Sequence, residues 1–458
     1  MKLKNLLRGL DVVVKGSREV EVTGISADSR TVAPGNLFIA KKGSAYDGTQ
    51  FIASAVGAGA VAIAADIYDP FVETTQIIHP DVGAIEARLA ARYYGDPSQD
   101  LFMVGVTGTK GKTTTTYLIK HLLDGLQRPA GLIGTVETIV GDHRFFSTLT
   151  THDVISNQKL LREMVLKGCK AAVLEVSSHG LAQGRVEEIS FDVGVFTNLY
   201  PDHLDYHKTM EEYADAKKKL FAKAKNAILN ADSPWSAYKG FTFGIEKGDL
   251  RASRIAFTPS GTEFVIDGCP FHLPLIGRFN VYNALAAIAV GLHIGAKLDQ
   301  IRDILAAFGS VPARLERIGN VFIDFAHTGE ALENVLQTLK EITKGRVIVV
   351  FGCGGNRDPG RRSAMGTAAA KWADASIITS DNPRTEDPNE IVRQIVASFA
   401  QMPLVELDRK KAIAMAIQMA RPEDLVLIAG KGHERVQIFA HQTVPFDDAF
   451  IVKEILGM

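Results

Sequence analysis

Short apolar blocks alternate with stretches of helical apolar spacing along most of the chain. The block 101–106 is apolar throughout except for one glycine, which is typical of a strand buried on both faces. Apolar side chains three or four residues apart follow at Ile119, Leu122, Leu123 and Leu126. This spacing places them on one face of a helix, predicted over 113–126. The pattern therefore predicts a buried strand, a glycine-containing turn and a helix in direct succession.

The same alternation predicts elements on both sides of this segment. In residues 1–97 it predicts strands at 20–27, 37–40 and 61–65 and helices at 51–58 and 84–94. From 98 to 310 it predicts further strands at 171–176, 192–198 and 226–230 and helices at 154–167, 211–223 and 281–293. Turn residues within 258–275 interrupt the rhythm and predict an antiparallel hairpin. Alternating strands and helices are typical of a parallel sheet flanked by helices.

Residues 311–458 alternate most regularly. Strands are predicted at 321–325, 346–351, 375–379, 404–406 and 425–429, and helices at 331–342, 363–372, 390–399 and 410–419. This pattern predicts a doubly wound, Rossmann-like domain, in which ligands bind beyond the carboxyl ends of the strands. The predicted fold class is therefore α/β in three domains: a small N-terminal α/β domain (1–97), a central parallel-sheet domain (98–310) and a C-terminal doubly wound domain (311–458).

Composition limits the classes of function. The chain has 458 residues, of which 46% are hydrophobic and 22% charged, and a formal net charge of −1, an ordinary balance for a globular protein. It has no long basic block, so we expect no nucleic-acid partner. The apolar stretch 55–65 contains two glycines and is shorter than the ~20 residues of a membrane span, so we expect no membrane insertion. Three widely spaced cysteines argue against a disulfide framework and favour a cytoplasmic location.

The turn after the first central strand carries the clearest chemistry. Gly108 and Gly111 let the backbone approach an anion, the first N–H groups of the helix point towards it, and Lys112 adds a positive charge. Thr113 or Thr114 can offer a hydroxyl to Mg²⁺. A nucleoside triphosphate is the predicted ligand, which makes the central domain a P-loop mononucleotide-binding domain.

The match to the usual phosphate loop covers its second half. The usual pattern has a glycine where this chain has Val106. A tight turn before a helix is the alternative interpretation. The position of Gly-Lys-Thr-Thr directly after a buried strand favours the phosphate loop, because the motif requires that context.

Polar side chains follow the next two predicted strands. Glu175 lies at a carboxyl end, where a carboxylate can reach the Mg²⁺ of a bound nucleotide. The strand 192–198 leads into a segment that resembles a hydrolase metal cluster, with Asp202, His203, Asp205 and His207. We expect one or two of these side chains to bind the metal, and the others to cap the helix or to orient the metal ligands. The lysines at 217–219 would, on spacing alone, form a solvated helix face.

Together these motifs resemble those of the Mur ligases. The resemblance rests on Gly-Thr-Lys-Gly-Lys-Thr-Thr at 108–114, Glu-Val-Ser-Ser-His-Gly at 175–180, the segment 198–207, Glu-Tyr-Ala-Asp-Ala-Lys at 212–217 and Asp-Phe-Ala-His-Thr at 324–328. Within the family, the motifs at 351–358, 381–384 and 430–434 are similar to those of the MurE type. The resemblance extends from residue 28 nearly to the C-terminus, and Lys110 departs from it where many relatives have Asn.

The resemblance implies an ATP-dependent ligase of peptidoglycan precursor synthesis. It implies an N-terminal domain for the UDP sugar, a central ATPase domain and a C-terminal domain for the incoming amino acid, in a protein expected to be a monomer. The expected catalytic residues are Lys112, Glu175, His203 and Lys217, and Lys217 matches the lysine that is carbamylated in the family. The expected Mg²⁺ ligands are Thr113, Glu175, His203 and Lys217.

Further contacts are implied position by position. ATP is expected to contact Gly108, Thr109, Lys110, Gly111, Lys112, Thr113, Thr114, Asn280, Arg314, Asp324 and His327. UDP-N-acetylmuramoyl-dipeptide is expected to contact Ser29, Thr150, Thr151, Ser177, Gln183 and Arg185. The added amino acid is expected to contact Arg357, Asp381, Asn382, Pro383, Arg384, Gly430 and Glu434.

The implied reaction activates a substrate carboxylate as an acyl phosphate, which the amine of an amino acid then attacks. The motif at 381–384 favours meso-diaminopimelate, because Arg384 can bind a distal carboxylate and would repel the distal ammonium of lysine. The same reaction with L-lysine is the nearest alternative. A folylpolyglutamate synthetase is disfavoured by the separate N-terminal domain, and a non-ligase ATP-binding switch protein is the remote alternative.

Overall fold

The computed structural model describes residues 1–43, 47–233 and 238–458. The chain forms two compact units. The first contains Met1–Phe243, Lys247–Asp249 and Ala286–Gly295, and the second contains Gly244–Glu246, Leu250–Leu285 and Ala296–Met458. Each unit has its own buried apolar clusters.

A five-stranded sheet forms the N-terminal part of the first unit. Its strands are β1 (Val13–Lys15), β2 (Gly24–Ser26), β3 (Asn36–Ile39), β4 (Ala62–Ala65) and β5 (Thr75–Ile78), in the order β1-β5-β4-β3-β2. All neighbours are parallel except β1 and β5. The helices are α1 (Leu3–Leu6), α2 (Ile52–Gly57) and α3 (Val82–Tyr94). Apolar side chains of β3, β4 and α3 share one buried cluster with Val154 and Ile155, so this sheet packs against the helix that begins there.

The central sheet of the first unit holds the strands that lead into the predicted site. They are β6 (Phe102–Thr107), β7 (Ala130–Ile133), β8 (Glu137–Val140), β9 (His143–Phe146), β10 (Ala171–Glu175), β11 (Phe191–Phe196), β12 (Ala224–Asn230) and β13 (Phe241–Gly244). Their order is β13-β12-β11-β6-β10-β7-β8-β9, parallel up to β7 and antiparallel beyond it. The helices are α4 (Lys112–Gly125), α5 (Val154–Leu166), α6 (Ser178–Ala182), α7 (Leu204–His207) and α8 (Met210–Ala222).

Three neighbouring strand ends position the site. The strand β6 lies between β10 and β11 and is parallel to both, with Val106 opposite Glu175 and Thr107 opposite Phe196. The segments that follow these strands therefore leave the same edge of the sheet side by side. This is the edge at which parallel sheets bind ligands.

The second unit contains a small antiparallel sheet and a larger parallel one. After β14 (Leu250–Arg251), the strands β15 (Ser253–Thr258), β16 (Gly261–Ile266) and β17 (Cys269–Leu273) form the small sheet. The large sheet has the order β18-β19-β23-β20-β21-β22. Its strands are β18 (Glu316–Ile318), β19 (Val321–Asp324), β20 (Val347–Phe351), β21 (Ala375–Ile378), β22 (Leu404–Val405) and β23 (Leu425–Ala429). All pairs are parallel except the one between β18 and β19.

Helices and one hairpin complete this unit. The helix α9 (Arg278–His293) contributes residues to both units, and α10 (Leu298–Ala306), α11 (Gly329–Ile342), α12 (Gly360–Trp372), α13 (Pro388–Val396), α14 (Arg409–Met419) and α15 (Asp448–Leu456) belong to the second. The strands β24 (Val436–Ile438) and β25 (Thr443–Pro445) form the hairpin. Among the described residues, no helix has the length and apolar character needed to cross a membrane.

The alternating pattern predicted the parallel sheets correctly. The hairpin expected within 258–275 is a three-stranded antiparallel sheet, and the expected strand 20–27 is reduced to β2. The features that were not predicted include β5, which contains the polar but buried Thr75 and Gln76, and the hairpin of β8 and β9. They also include the parallel strand β7, the hairpin of β24 and β25, and the helices α10 and α15. The domain boundaries stay a prediction.

Candidate active site

The phosphate loop between β6 and α4 requires both of its glycines. Gly108 has φ +148°, and a Cβ there would lie 1.9 Å from Thr197 Oγ1, so no other residue fits without displacement. Gly111 has φ +86° and directly precedes α4, a backbone conformation that L-residues rarely adopt. The N–H of Thr109 donates to the carbonyl of Asn198 at 2.9 Å. The loop is therefore anchored to the end of β11.

Lys110 contributes its backbone to this anchor. Its N–H donates to Asn198 Oδ1 at 2.8 Å, and its carbonyl accepts from Thr197 Oγ1 at 2.7 Å and Asn198 Nδ2 at 3.0 Å. The ammonium lies 5.6 Å from the centre of the Tyr200 ring. The sequence placed Thr197 and Asn198 at a strand end but did not assign them this role.

Two lysines converge on one carbonyl of the loop. Lys112 Nζ donates to the carbonyls of Gly108 and Thr109 at 2.9 and 3.0 Å, and Lys217 Nζ donates to the carbonyl of Gly108 at 2.9 Å. Lys217 is 1% exposed and lies 4.2 Å from the centre of the Tyr213 ring. Burial, and then the charge of Lys112, hold the pKa of Lys217 well below its usual value. The solvated-face interpretation is therefore wrong for Lys217.

Glu175 is held beside the loop by three donors. Its side chain is 1% exposed. Oε2 accepts from the hydroxyls of Thr113 at 3.0 Å and Thr135 at 2.9 Å, and Oε1 accepts from the N–H of Thr135 at 2.8 Å. Thr135 was missed by the sequence analysis because a single threonine after a glycine has no distinguishing pattern. Only the pairing of β7 with β10 brings it to Glu175.

An aromatic and imidazole cluster lies around α7. The ring centre of His203 is 4.9 Å from that of His179 and 6.1 Å from that of Tyr213, and His207 is 5.2 Å from Tyr213. Burial lowers the pKa of all three histidines, and the charges of Lys112 and Lys217 further lower that of His203.

The segment 198–207 does not present a preformed set of three metal-ligating side chains. Within residues 1–43, 47–233 and 238–458, no group of three His, Cys, Asp or Glu side chains could hold a metal ion. Asp202 instead accepts a hydrogen bond from the N–H of His203 at 2.9 Å. The expectation that one or two of the four side chains bind the metal stays a prediction.

Most residues predicted to bind the muramoyl-dipeptide form one network. Thr135 Oγ1 lies 3.0 Å from Thr150 Oγ1, which links this set to Glu175. Because Thr135 donates its one hydroxyl proton to Glu175, it accepts here from the Thr150 hydroxyl. Thr151 Oγ1 lies 3.1 Å from Ser177 Oγ, and Arg185 Nη1 donates to the carbonyl of Thr151 at 2.8 Å.

Gln183 extends this network, whereas Ser29 is not part of it. Arg185 also donates to Gln183 Oε1 through Nη2 at 2.6 Å, and Gln183 Nε2 is 3.4 Å from the Tyr206 hydroxyl. Ser29 opens a turn after β2. Within the described part of the chain, no hydrogen bond or ion pair joins Ser29 to this set.

In the second unit, three of the predicted nucleotide contacts surround Phe325. The guanidinium of Arg314 lies 5.2 Å from the Phe325 ring centre, and His327 Nδ1 is 2.7 Å from the Phe325 carbonyl. Asp324 Oδ2 accepts from the N–H of Leu315 at 2.7 Å, and burial raises the pKa of Asp324 to about 6.

Asn280, the fourth predicted contact in this unit, lies on α9 and has protein partners. Its Nδ2 donates to the carbonyl of Ile276 at 2.9 Å, and its Oδ1 accepts from Asn283 at 2.9 Å. These bonds use one proton of Nδ2 and one lone pair of Oδ1, so each atom keeps one further site for a hydrogen bond.

The predicted amino-acid residues gather at the ends of β20, β21 and β23. Asn382 Nδ2 donates to Glu434 Oε2 at 2.7 Å, and Arg384 Nη1 donates to the carbonyl of Gly355 at 2.8 Å. A Cβ on Gly430, which has φ +108°, would lie 2.9 Å from Asp381 Oδ2.

Arg357 and Pro383, the other two predicted residues, lie next to Arg384. A Cβ on Gly354 would lie 3.0 Å from Arg384 Nη1 and 3.6 Å from Arg357 Cγ, so both arginines flank Gly354. A cleft of about 290 Å³ is lined by Pro383, Arg384, Glu386, Pro388, Phe439, Ala440, His441 and Gln442.

Three family models match successive parts of the chain. They are the Mur ligase family, catalytic domain over 21–94, the Mur ligase middle domain over 106–291 and the Mur ligase, glutamate ligase domain over 313–432. A Chlamydia felis (strain Fe/C-56) protein named UDP-N-acetylmuramoyl-L-alanyl-D-glutamate--2,6-diaminopimelate ligase is 45% identical over 100% of this chain and 99% of its own. The chain belongs to the Mur ligase family. A relative of the same name from Caldanaerobacter subterraneus subsp. tengcongensis is 40% identical over the same shares.

Solved structures agree with this assignment. A structure of a UDP-N-acetylmuramoyl-L-alanyl-D-glutamate--2,6-diaminopimelate ligase matches with a TM-score of 0.71 and 31% identity, over 100% of this chain and 99% of that one. MurF from Acinetobacter baumannii matches with a TM-score of 0.70 and 18% identity over the same shares, which bears on the fold alone. The family architecture of N-terminal, nucleotide-binding middle and C-terminal domains confirms the predicted fold class.

Proposed function

We propose that this protein is an ATP-dependent ligase that adds meso-diaminopimelate to UDP-N-acetylmuramoyl-L-alanyl-D-glutamate in peptidoglycan precursor synthesis. The observation that carries the proposal is the convergence of Lys112 and the buried Lys217 on the carbonyl of Gly108, in a chain 40–45% identical to relatives that bear this ligase name. A simple nucleotide-binding switch has no use for the second, buried lysine.

The phosphate loop supports the first chemical step. Lys112 donates hydrogen bonds to two loop carbonyls. Phosphate oxygens are anionic and are therefore stronger acceptors for the same ammonium. When the γ-phosphoryl group of ATP passes to the substrate carboxylate, Lys112 and the loop N–H groups stabilise its charge. The products of this step are ADP and an acyl phosphate.

The second step forms the amide. The neutral amine of the amino acid attacks the acyl carbon, the carbon–oxygen bond to phosphate breaks, and the amine loses one proton to solvent. The network of Thr150, Thr151 and Arg185 supports a role in holding the muramoyl-dipeptide, because its hydroxyl and guanidinium groups suit a polar, anionic substrate. The assignment of Ser29 to the uridine rests on the family motif.

Thr113 in the first turn of α4 and Glu175 at the end of β10 fit Mg²⁺. The Thr113 hydroxyl and the Glu175 carboxylate, both hard oxygen donors, lie 3.0 Å apart, and Mg²⁺ keeps several waters and so needs few protein ligands. We propose that Thr113, Glu175, His203 and the modified Lys217 hold it. When bound, the ion neutralises charge on the phosphates.

The lowered pKa of Lys217 supports its carbamylation. A neutral amine can attack CO₂, forming a nitrogen–carbon bond and releasing one proton, whereas an ammonium cannot. The product is an anionic carbamate, which offers oxygen ligands in place of a cation beside Lys112.

Labelled bicarbonate tests this modification. We expect a carbamate carbon signal in the ¹³C spectrum of the protein in ¹³C-bicarbonate at neutral pH, and its loss on acidification, because protonation removes the nucleophile. Lys217→Ala should lack the signal and lose activity about 10- to 100-fold, as for other groups that support a metal site. Lys218→Ala is the matched control, since Lys218 lies next on the helix and pairs with Asp215. Full activity of Lys217→Ala would contradict the assignment.

The amino-acid residues favour meso-diaminopimelate over L-lysine. Arg384 and Arg357 flank the same glycine, and two guanidinium groups suit a distal carboxylate that lysine lacks. We also propose that ATP contacts Asn280, Arg314, Asp324 and His327, and that the protein acts as a cytoplasmic monomer without nucleic acid. The free state of all three cysteines supports the reducing compartment.

One assay tests the proposed function. Purified protein receives UDP-N-acetylmuramoyl-L-alanyl-D-glutamate, ATP and Mg²⁺, with meso-diaminopimelate, L-lysine or L-ornithine offered separately, and the products are identified by mass spectrometry. We expect ADP and the diaminopimelate adduct. Preferential incorporation of lysine would overturn the specificity, and formation of AMP would overturn the acyl phosphate mechanism.

A further inference from the structure

A second fully buried lysine lies in the predicted amino-acid site. Lys431 follows β23 directly, and its side chain is 0% exposed. Its ammonium donates to Asn382 Oδ1 at 3.0 Å and to Glu434 Oε2 at 3.1 Å. It therefore touches two residues expected to contact the amino acid and, being fully enclosed by protein, is itself out of reach of a ligand.

The bond from Lys431 determines how Asn382 is oriented. Asn382 Oδ1 accepts from Lys431 and also from the N–H of Ile438 at 2.9 Å. Both partners can only donate, so the amide oxygen must face them and Nδ2 must face the other way. Nδ2 accordingly donates to Glu434 Oε2 at 2.7 Å.

The same bonds leave one oxygen of Glu434 for a ligand. Oε2 accepts from both Asn382 and Lys431, whereas no described residue donates to Oε1. The side chain of Glu434 is 35% exposed, so Oε1 can be reached from outside. A carboxylate oxygen held in this way is suited to an ammonium group of an amino acid.

Packing alone does not account for the charge of Lys431. Removing an ammonium from water is unfavourable, and apolar side chains of similar volume often replace buried ion pairs without loss of stability. A methionine would fill much of the same space. The charge of Lys431 therefore has a role other than filling space. Its position indicates that this role concerns the side chains of Asn382 and Glu434.

We propose that Lys431 is a positioning residue of the amino-acid site, which orients Asn382 and Glu434 so that Glu434 Oε1 faces the ammonium of the incoming amino acid. The proposal rests on the proposed function and adds to it a residue that acts through two others.

Steady-state kinetics with a double-mutant cycle test this role. We expect Lys431→Met to raise KM for meso-diaminopimelate about 10- to 100-fold, the usual cost of removing an outer partner of a binding group, with KM for ATP and for the UDP substrate unchanged. Because Lys431 acts through Glu434, its substitution should add little in a Glu434→Gln background. Lys410→Met is the matched control, since Lys410 is an exposed lysine paired with Glu454.

A second variant keeps the proposal testable if Lys431→Met does not fold. Lys431→Gln keeps one donor for Asn382 without the charge and should raise the same KM by a smaller factor. Equal rises in KM for all three substrates, or additive effects of Lys431→Met and Glu434→Gln, would overturn the positioning role while leaving the ligase function intact. A wild-type protein that joins no amino acid to the UDP substrate would overturn both.

Discussion

Asp324 shows how burial changes the chemistry of a single carboxyl group. Burial raises its pKa to about 6, although the charge of Arg314 and the N–H groups of Leu315 and Ala326 act in the opposite direction. The desolvation of the carboxylate therefore outweighs three favourable partners. A bound nucleotide that hydrogen-bonds to this side chain would meet a group that changes protonation close to neutral pH.

This pKa predicts a pH dependence of stability. Between the unfolded value of 3.8 and about 6, the folded protein holds a proton that the unfolded chain has released. Stability from this group is thus present below pH 4 and is lost as the pH rises through 6, by up to about 3 kcal/mol. We expect the free energy of unfolding of the wild type, relative to Asp324→Asn, to fall between pH 4 and 7 in denaturant titrations. A difference that is flat or rises with pH would contradict this.

At the scale of elements, two ion pairs join the same helices in different surroundings. Arg409 on α14 binds Asp448 on α15 through Nε and Nη2, both at 2.8 Å, and both side chains are 0% exposed. One residue further on, Lys410 binds Glu454 at 2.9 Å, with both side chains about half exposed. The pairs join the same two helices at similar distances, and they differ in the donor group and, most of all, in burial.

Burial predicts unequal costs for breaking these pairs. We expect Asp448→Ala to lower the free energy of unfolding by about 3–5 kcal/mol, because it leaves the Arg409 guanidinium buried without its partner. Glu454→Ala should cost at most about 1 kcal/mol, because water replaces the lost partner. Chemical denaturation of both variants measures the difference. Similar losses for the two would show that the contact between the helices, and not desolvation, determines the cost.

At the scale of the whole molecule, nucleotide binding is linked to folding. A ligand that binds only the folded state stabilises it by about 2.7 kcal/mol at a hundred times its Kd. We expect ADP to raise the Tm of the wild type in proportion to the logarithm of its concentration, and to have little effect on Lys112→Ala.

Lys120→Ala is the control for this measurement. It removes a lysine from the same helix α4, where Lys120 pairs with Asp124 away from the loop. It should respond to ADP as the wild type does. An equal response of Lys112→Ala and Lys120→Ala would contradict a phosphate contact by Lys112.

Local pattern was sufficient for the parallel sheets, the phosphate loop and the family. Buried strands and amphipathic helices have different apolar periods, so β6, α4 and the strands β19 to β23 were predictable from spacing. The glycines at 108 and 111 could be recognised because they stand between a strand and a helix. The site residues carried over from the family remain predictions, although the structure brings many of them together.

Tertiary structure alone decided which polar side chains are buried and what they touch. Lys217 and Lys218 are adjacent and chemically identical in the sequence, yet only Lys217 reaches the carbonyl of Gly108, because one helix face packs on the sheet and the other does not. Thr135 meets Glu175 through the pairing of β7 with β10, and Lys431 meets Asn382 across 49 positions of the chain. Sequence spacing reports the period of one element, whereas contacts between elements depend on the order of strands, which no local pattern contains.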